Sequence, residues 1–194
     1  GSSGGLREGK GTSFEGGVRE PCIMSWPGHI PRGKVCTEPA MTIDLMPTIA
    51  AATDAQLSSA NKIDGLSILS LITGKRGAKS PHDAFYYYWG LELQAVRSGD
   101  WKLHFPHDYQ SLEGGAGGKD GKPAGYKILK TDICLYNLRD DRSEADNVAD
   151  QHPEIVKRLS DLADRMRMDI GDSRLKMPGN GRRQPGMEPT PEKP

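Results

Sequence analysis

Residues 4–21 form a glycine-rich segment that contains a single lysine, Lys10, and runs directly into an apolar stretch. Because glycine has no Cβ, it adopts positive φ at little cost and lets a ligand approach the backbone closely. The Lys10 ammonium is a compact positive charge, which suits an oxyanion. The segment therefore predicts a loop that binds sulfate or phosphate through Lys10.

A nucleotide-binding loop is the obvious alternative for this segment. Gly4, Gly9 and Lys10 stand at the spacing G-x-x-x-x-G-K, but the next position of that motif needs a hydroxyl for the metal, and here it is Gly11. The glycines and the proline that follow would break a helix, so no helix is predicted after Lys10 and no helix N-terminus cradles a phosphate. Both departures argue against a nucleotide site.

Several motifs follow one another along this chain. The first lies at residues 9–21, is followed by residues 26–28, and reads Gly9-Lys10-Gly11-Thr12-Ser13-Phe14-Glu15-Gly16-Gly17-Val18-Arg19-Glu20-Pro21. Further motifs lie at residues 43–49, 64–67 and 135–148. In this order they resemble the C-terminal half of sulfatases of the arylsulfatase A and galactosamine-6-sulfatase type, where residues 43–49 and 64–67 match a helix and the following turn. Residues 135–148 are similar to the family pattern L-Y-D-L-x-x-D-P-x-E-x-x-N-L, with Asn137 replacing the aspartate and Arg142 the proline. Ordered matches of this kind are far more specific than any one of them.

Three residues of this chain are candidates for contact with the substrate. By resemblance, Lys10 is expected to bind the sulfate oxygens and to offset the negative charge that builds up in the transition state. His104 and His107 follow a predicted hairpin, from which an imidazole could donate to a leaving-group oxygen or a sugar hydroxyl of the substrate. Glu15 and Arg19 are expected to be structural and to pair with each other.

The resemblance also implies groups that this chain does not carry. Such sulfatases use a formylglycine made from a C-x-[PA]-x-R motif, and none of Cys22, Cys36 or Cys134 begins one. Their Ca²⁺ ligands correspond to positions upstream of Gly1. The acidic residues at 140–146 could suggest a calcium site, but Arg142 lies among them and the glycine of a calcium loop is missing, so a turn is predicted instead. The chain alone is therefore expected to be an inactive C-terminal fragment.

Two other functions remain open from the sequence: a non-catalytic module that binds sulfated glycans, and part of a phosphoesterase of the alkaline phosphatase superfamily. The expected partners are a sulfated small molecule or glycan and the missing N-terminal part of the enzyme. Lys plus Arg and Asp plus Glu number 26 each, so no overall field favours nucleic acid or a membrane surface. The family resemblance implies a periplasmic, extracellular or lysosomal location.

The predicted fold class is α/β, the end of the large sulfatase domain, followed by an α+β subdomain with a small antiparallel sheet and one C-terminal helix. The predicted domains are residues 1–78, 79–175 and a disordered tail at 176–194. The apolar fraction of 35%, with 24 Gly and 14 Pro, fits a loop-rich part of a larger enzyme. Strands are predicted at residues 18–26, 84–89, 93–97, 101–105 and 133–138, and helices at 44–52, 63–72 and 153–169.

Overall fold

The computed structural model describes residues 3–60, 62–122 and 124–183. The chain forms two compact units: Glu20–Asp83, and the described residues of 1–19 together with those of 84–194. The predicted domains divide the chain differently, at residue 78, and remain a prediction. None of the described helices is both long enough and apolar enough to cross a membrane.

A four-stranded antiparallel sheet organises the larger unit. Its strands, in spatial order, are β1 (Phe85–Trp89), β2 (Glu92–Ser98), β3 (Trp101–His104) and β6 (Cys134–Asn137). Gly99 adopts a positive φ of 60° between β2 and β3, as the predicted hairpin requires. A separate two-stranded sheet, β4 (His107–Ser111) with β5 (Lys127–Thr131), was not predicted.

One face of the four-stranded sheet packs against the C-terminal helix α4 (Pro153–Ile170). Pro153 occupies the first turn of α4, where its missing N–H costs no hydrogen bond. Val96, Leu103 and Leu135 are opposite each other on neighbouring strands and lie on the face that meets Leu159 of α4. The predicted helix and the predicted fold class are confirmed.

The described part of the unit Glu20–Asp83 contains two α-helices and a 3-10 turn. A 3-10 turn (Thr42–Asp44) leads into α2 (Leu45–Thr53), and α3 (Leu69–Ile72) follows. The buried Asp44 carboxylate accepts hydrogen bonds from the backbone N–H groups of Met41 and Leu66 and contacts His82 Nε2 at 2.7 Å. Asp44 therefore ties the start of α2 to the following segment instead of capping α2 with its side chain.

Three local predictions are wrong. Residues 15–18, where glycines argued against a helix, form one helical turn, α1 (Glu15–Val18). The strand predicted at 18–26 is wrong, because Val18 ends α1 and residues 19–26 are irregular. The helix predicted at 63–72 is confined to α3.

The last part of the chain is described only to residue 183. Residues 177–183 belong to the predicted tail, and here the backbone N–H groups of Met177, Asn180 and Gly181 donate to carbonyls of Asp172, Met168 and Asp169. This stretch is therefore attached to the end of α4. The rest of the predicted tail, residues 184–194, lies outside the described residues.

Candidate functional site

The backbone of residues 7–16, here called the lysine loop, closes on itself. The Gly16 N–H donates to the Arg7 carbonyl over 2.9 Å, and the Thr12 hydroxyl donates to the Gly9 carbonyl over 3.0 Å. A Cβ on Gly16 would lie 2.3 Å from the Glu8 carbonyl oxygen, too close for any other residue to fit without a backbone shift. Glycine at this position is therefore needed to close the loop.

Lys10 lies in the middle of this loop and is exposed. Within the described residues, no side chain or carbonyl forms a hydrogen bond or ion pair with its ammonium. The loop therefore presents an uncommitted positive charge to solvent.

Arg7 anchors the first stem of the lysine loop. Its Nη1 donates to the Tyr136 hydroxyl over 2.9 Å and to the Glu144 carbonyl over 2.8 Å. The guanidinium also lies 4.1 Å from the ring centroid of Phe14, a cation–π distance. Phe14 is fully buried, so this contact ties Arg7 to the second stem of the loop.

Glu15 anchors the second stem in a cluster of buried charges. Lys102 on β3 is fully buried, and its Nζ lies 2.9 Å from Glu15 Oε1 and 3.0 Å from Glu144 Oε1. Glu144 is also fully buried, and its Oε2 accepts the Glu15 backbone N–H over 2.6 Å. These three residues and His104 are called the buried ion cluster below.

The carboxylates of the buried ion cluster are held in their charged form. Burial alone would raise the pKa of Glu15, but the Lys102 ammonium and the Arg19 guanidinium together bring that pKa below its usual value. Burial likewise acts to raise the pKa of Glu144, and the hydrogen bond from His104 and the charge of Lys102 lower it. Arg19 Nη2 lies 2.6 Å from Glu15 Oε2, which confirms the predicted structural pair.

His104 and His107 are both buried in this chain. A carboxylate can only accept, so His104 Nε2 carries the proton that is shared with Glu144 Oε1 over 2.9 Å. His107 Nδ1 donates to the Phe105 carbonyl over 2.7 Å. Each ring thus uses its N–H inside the protein, and their predicted contact with substrate remains a prediction.

Burial sets the charge of both imidazoles. It lowers the pKa of His104 to about 4, although the Glu144 hydrogen bond acts in the opposite direction. Burial also lowers the pKa of His107, and the hydrogen bond to the Phe105 carbonyl acts against it. His104 is therefore neutral at neutral pH.

Two further side-chain contacts fix the lysine loop to the strands. The Ser13 hydroxyl donates to Gln94 Oε1 of β2 over 2.8 Å, and both side chains are buried. The Ser111 hydroxyl of β4 donates to Glu8 Oε1 over 2.8 Å. The loop is consequently held on both sides of Lys10 by residues from both sheets.

The acidic residues at 140–146 are used within the protein. Asp141 accepts hydrogen bonds from the Ser143 hydroxyl and the Asp146 backbone N–H, as the predicted turn requires, whereas Glu144 points into the buried ion cluster. In the part of the chain that the structure describes, no three His, Cys, Asp or Glu side chains gather as a metal ion would need. These residues do not fit a calcium site.

Lys102 was not singled out from the sequence. A lysine in a strand is usually solvated, and only its setting in Trp101-Lys102-Leu103-His104 gives a hint of burial. Alternation places Lys102 and His104 on the face opposite Leu103. The sequence signal for the burial of Lys102 was therefore the presence of two titratable residues on one face of a central strand.

Comparisons with known proteins give concordant matches. The family described as the C-terminal region of aryl-sulfatase matches residues 80–191, and the family described as N-sulphoglucosamine sulphohydrolase, C-terminal, matches residues 9–112. Human arylsulfatase A is 36% identical over 176 residues, which cover 84% of this chain and 33% of the human protein. Pig N-acetylgalactosamine-6-sulfatase is 40% identical over 105 residues, covering 54% of this chain and 20% of that protein. The chain thus spans about a third or less of the length of these relatives.

Solved structures agree with these matches. A Bacteroides thetaiotaomicron protein, described with the metabolism of multiple glycosaminoglycans, gives a TM-score of 0.61 at 28% identity, over 84% of this chain and 32% of that one. The PsFucS1 sulfatase of a Pseudoalteromonas species gives a TM-score of 0.66 at 23% identity, over 83% of this chain and 32% of that one, and so shares the fold. Both family matches cover more than half of the sequence, and they agree with the relatives and the fold: the chain belongs to the sulfatase family and corresponds to its C-terminal region.

Proposed function

We propose that this chain is the C-terminal part of a sulfate ester hydrolase and that Lys10 is its sulfate-binding residue. The observation that carries the proposal is an exposed lysine, without a protein partner among the described residues, on a loop anchored at both stems. A solvated surface lysine would need no such anchoring.

The chemistry proposed for Lys10 is electrostatic. Negative charge builds up on the sulfuryl oxygens and the leaving oxygen as the ester bond breaks, and a fixed ammonium stabilises this charge with little reorganisation. The closed lysine loop supports this role because its backbone is already held before substrate arrives. An arginine is not equivalent, since its planar fork differs from a point charge.

The remaining groups of the reaction are proposed to come from outside this chain. The family resemblance implies Ca²⁺ and a formylglycine, yet the described acidic residues do not fit calcium and no cysteine has the required motif. We therefore propose that the chain alone does not turn over sulfate esters. It would act together with the N-terminal part of the enzyme, on a sulfated small molecule or glycan, in a periplasmic, extracellular or lysosomal setting.

Lys10→Ala tests the proposal in the complete enzyme that carries this chain. With an aryl sulfate as substrate, we expect kcat/KM to fall about 10²- to 10³-fold, the usual cost of removing one stabilising charge. Lys10→Arg should not restore the rate. Lys130→Ala, at an exposed lysine of β5, is the matched control and should keep the wild-type rate.

Normal turnover by the Lys10→Ala enzyme would contradict the role of this lysine. Turnover of the aryl sulfate by the isolated 194-residue chain, abolished by Lys10→Ala, would instead contradict its proposed inactivity. A complete enzyme that hydrolyses phosphate esters and not sulfate esters would favour the phosphoesterase alternative.

A further inference from the structure

We propose that Lys102 is a positioning residue for Lys10, acting through Glu15 and Glu144 at the base of the lysine loop. The inference rests on the function proposed for Lys10 and adds a second lysine that never meets the substrate. Three observations carry it. Lys102 is completely buried, the two carboxylate oxygens of Glu144 have different partners, and both stems of the lysine loop contact Glu144.

The burial of Lys102 requires an explanation. A fully buried lysine is rare unless its charge is paired, and removing it from water is costly. Apolar residues of similar volume often stabilise a protein as well as a buried ion pair does. The specific arrangement that Lys102 imposes on its two partners is therefore a better account than stability alone.

Glu144 links Lys102 to the backbone of the lysine loop. Its Oε1 is engaged by Lys102 Nζ and His104 Nε2, which fixes the plane of the carboxylate. Its Oε2 is then directed at the Glu15 N–H, at 2.6 Å. Lys102 also holds the Glu15 side chain at 2.9 Å, so that residue is restrained at both its backbone and its carboxylate.

The other stem of the loop meets the same residue. Arg7 lies three residues before Lys10 and donates to the Glu144 carbonyl over 2.8 Å. Glu15 lies five residues after Lys10. Because both stems are tied to Glu144, a movement of Glu144 changes the separation of the stems. Lys102 is the charge that keeps Glu144 and Glu15 together.

Amide hydrogen exchange tests the positioning step without any sulfate ester. In Lys102→Met, which keeps the length of the side chain and removes its charge, we expect the Glu15 and Gly16 amides to exchange about tenfold faster or more, as for the loss of a hydrogen bond to a charged group. The amides of Leu159 and Ala163 in α4 should keep their wild-type rates. Lys157→Met is the matched control, because Lys157 forms an exposed pair with Asp161 and should change none of these rates.

Unchanged exchange at Glu15, or an equal rise in α4, would overturn the proposal. If Lys102→Met does not fold, Glu144→Gln makes the same test: its amide oxygen can still accept from Lys102 and His104, while its NH₂ group then faces the Glu15 N–H. The same local rise in exchange is expected, and the same two outcomes count against it.

A double-mutant cycle in the complete enzyme tests whether Lys102 acts through Lys10. If it does, Lys102→Met lowers kcat/KM of the wild type but adds nothing to the loss already caused by Lys10→Ala. Additive losses would mean that Lys102 acts on the fold alone and would refute the inference. If Lys10→Ala itself has no effect, the proposed function fails, whereas the exchange experiment still decides whether Lys102 positions the loop.

Discussion

The His104 imidazole shows how strongly single residues in this protein depend on their neighbours. It donates its N–H to Glu144, stacks on Phe14 with ring centroids 4.5 Å apart, and is fully buried. Burial lowers its pKa to about 4, so it is uncharged in the folded chain at neutral pH. In the unfolded chain the same residue titrates near 6.5.

This difference predicts a loss of stability in mild acid. As pH falls from about 6.5 toward 4, the His104 imidazole binds a proton in the unfolded state but not in the folded state. The free energy of unfolding therefore decreases by up to about 3 kcal/mol. Below about 4.5 the lowered pKa values of Glu15 and Glu144 add a further loss, because their charged forms stabilise the folded state. Urea titrations at a series of pH values measure the decrease.

His104→Gln separates the contribution of His104 from general acid effects, because glutamine can donate to Glu144 but does not titrate. In this variant we expect the free energy of unfolding to depend less steeply on pH between 6.5 and about 4.5, above the range where the carboxylates act. His29→Gln, at an exposed histidine, should keep the wild-type slope. An unaltered slope in His104→Gln would contradict the assignment.

Single residues were predictable where a motif named them and not where tertiary contacts define them. The pairing of Glu15 with Arg19 was expected and is found. The place of Lys102 in the buried ion cluster was missed because strand lysines are normally solvated. The carboxylates that make this lysine an exception are distant in sequence: Glu15 lies 87 residues before it, and Glu144 lies later in the chain. No local pattern brings such distant residues together.

Helix α4 is the element that the sequence describes best. Its 3.6-residue stripe is long, and its start is marked by a proline, so pattern and packing agree. Leu159 and Ala163 are fully buried against the sheet. The helix therefore supports the face of the sheet opposite the lysine loop.

Leu159→Ala is expected to destabilise the chain by about 2–5 kcal/mol, because it leaves a cavity between α4 and the sheet. Arg165→Ala, on the exposed side of the same helix, should change stability by less than about 0.5 kcal/mol. Urea unfolding of both variants measures the difference. An equally small loss of stability in both variants would show that α4 contributes little to the core.

Short elements were predicted less well than α4. Helix α1 was missed because Gly16 and Gly17 argue against a helix, although here they are needed for close backbone packing. In α2 the apolar residues Leu45 and Ile49 recur at helical spacing, yet they are 41% and 62% exposed. Periodicity shows that a face is apolar, but it does not show what covers it.

At the scale of the whole molecule, the two units differ in how much apolar surface they bury. The larger unit has a sheet packed against a long helix, whereas the described residues of Glu20–Asp83 form one α-helix of 9 residues and one of 4. Several large apolar side chains of the smaller unit are exposed in this chain: Ile23, Val35, Ile43, Leu45, Met46, Ile49, Leu57 and Leu66. A short helix with little buried surface is only marginally stable.

We therefore expect the units to open independently. In native-state hydrogen exchange, the amides of α2 should exchange about 100-fold faster than those of β2 and β3, since local stability follows buried contacts. Leu159→Ala should accelerate amide exchange in β2 and β3 and leave the exchange rates of α2 unchanged. Equal protection of α2 and the sheet would show that the chain unfolds as one cooperative body.

Strand β3 faces hydrocarbon on one side and ions on the other. Leu103 packs toward α4, while its neighbours Lys102 and His104 join the buried ion cluster beneath the lysine loop. A shift of one residue in the register of β3 would exchange these two faces. It would place the charged side chain in the hydrophobic layer against α4 and Leu103 among carboxylates. A chain misaligned in this way would also lose the base of the lysine loop, so the register of β3 decides whether Lys10, the proposed sulfate-binding residue, is held in place.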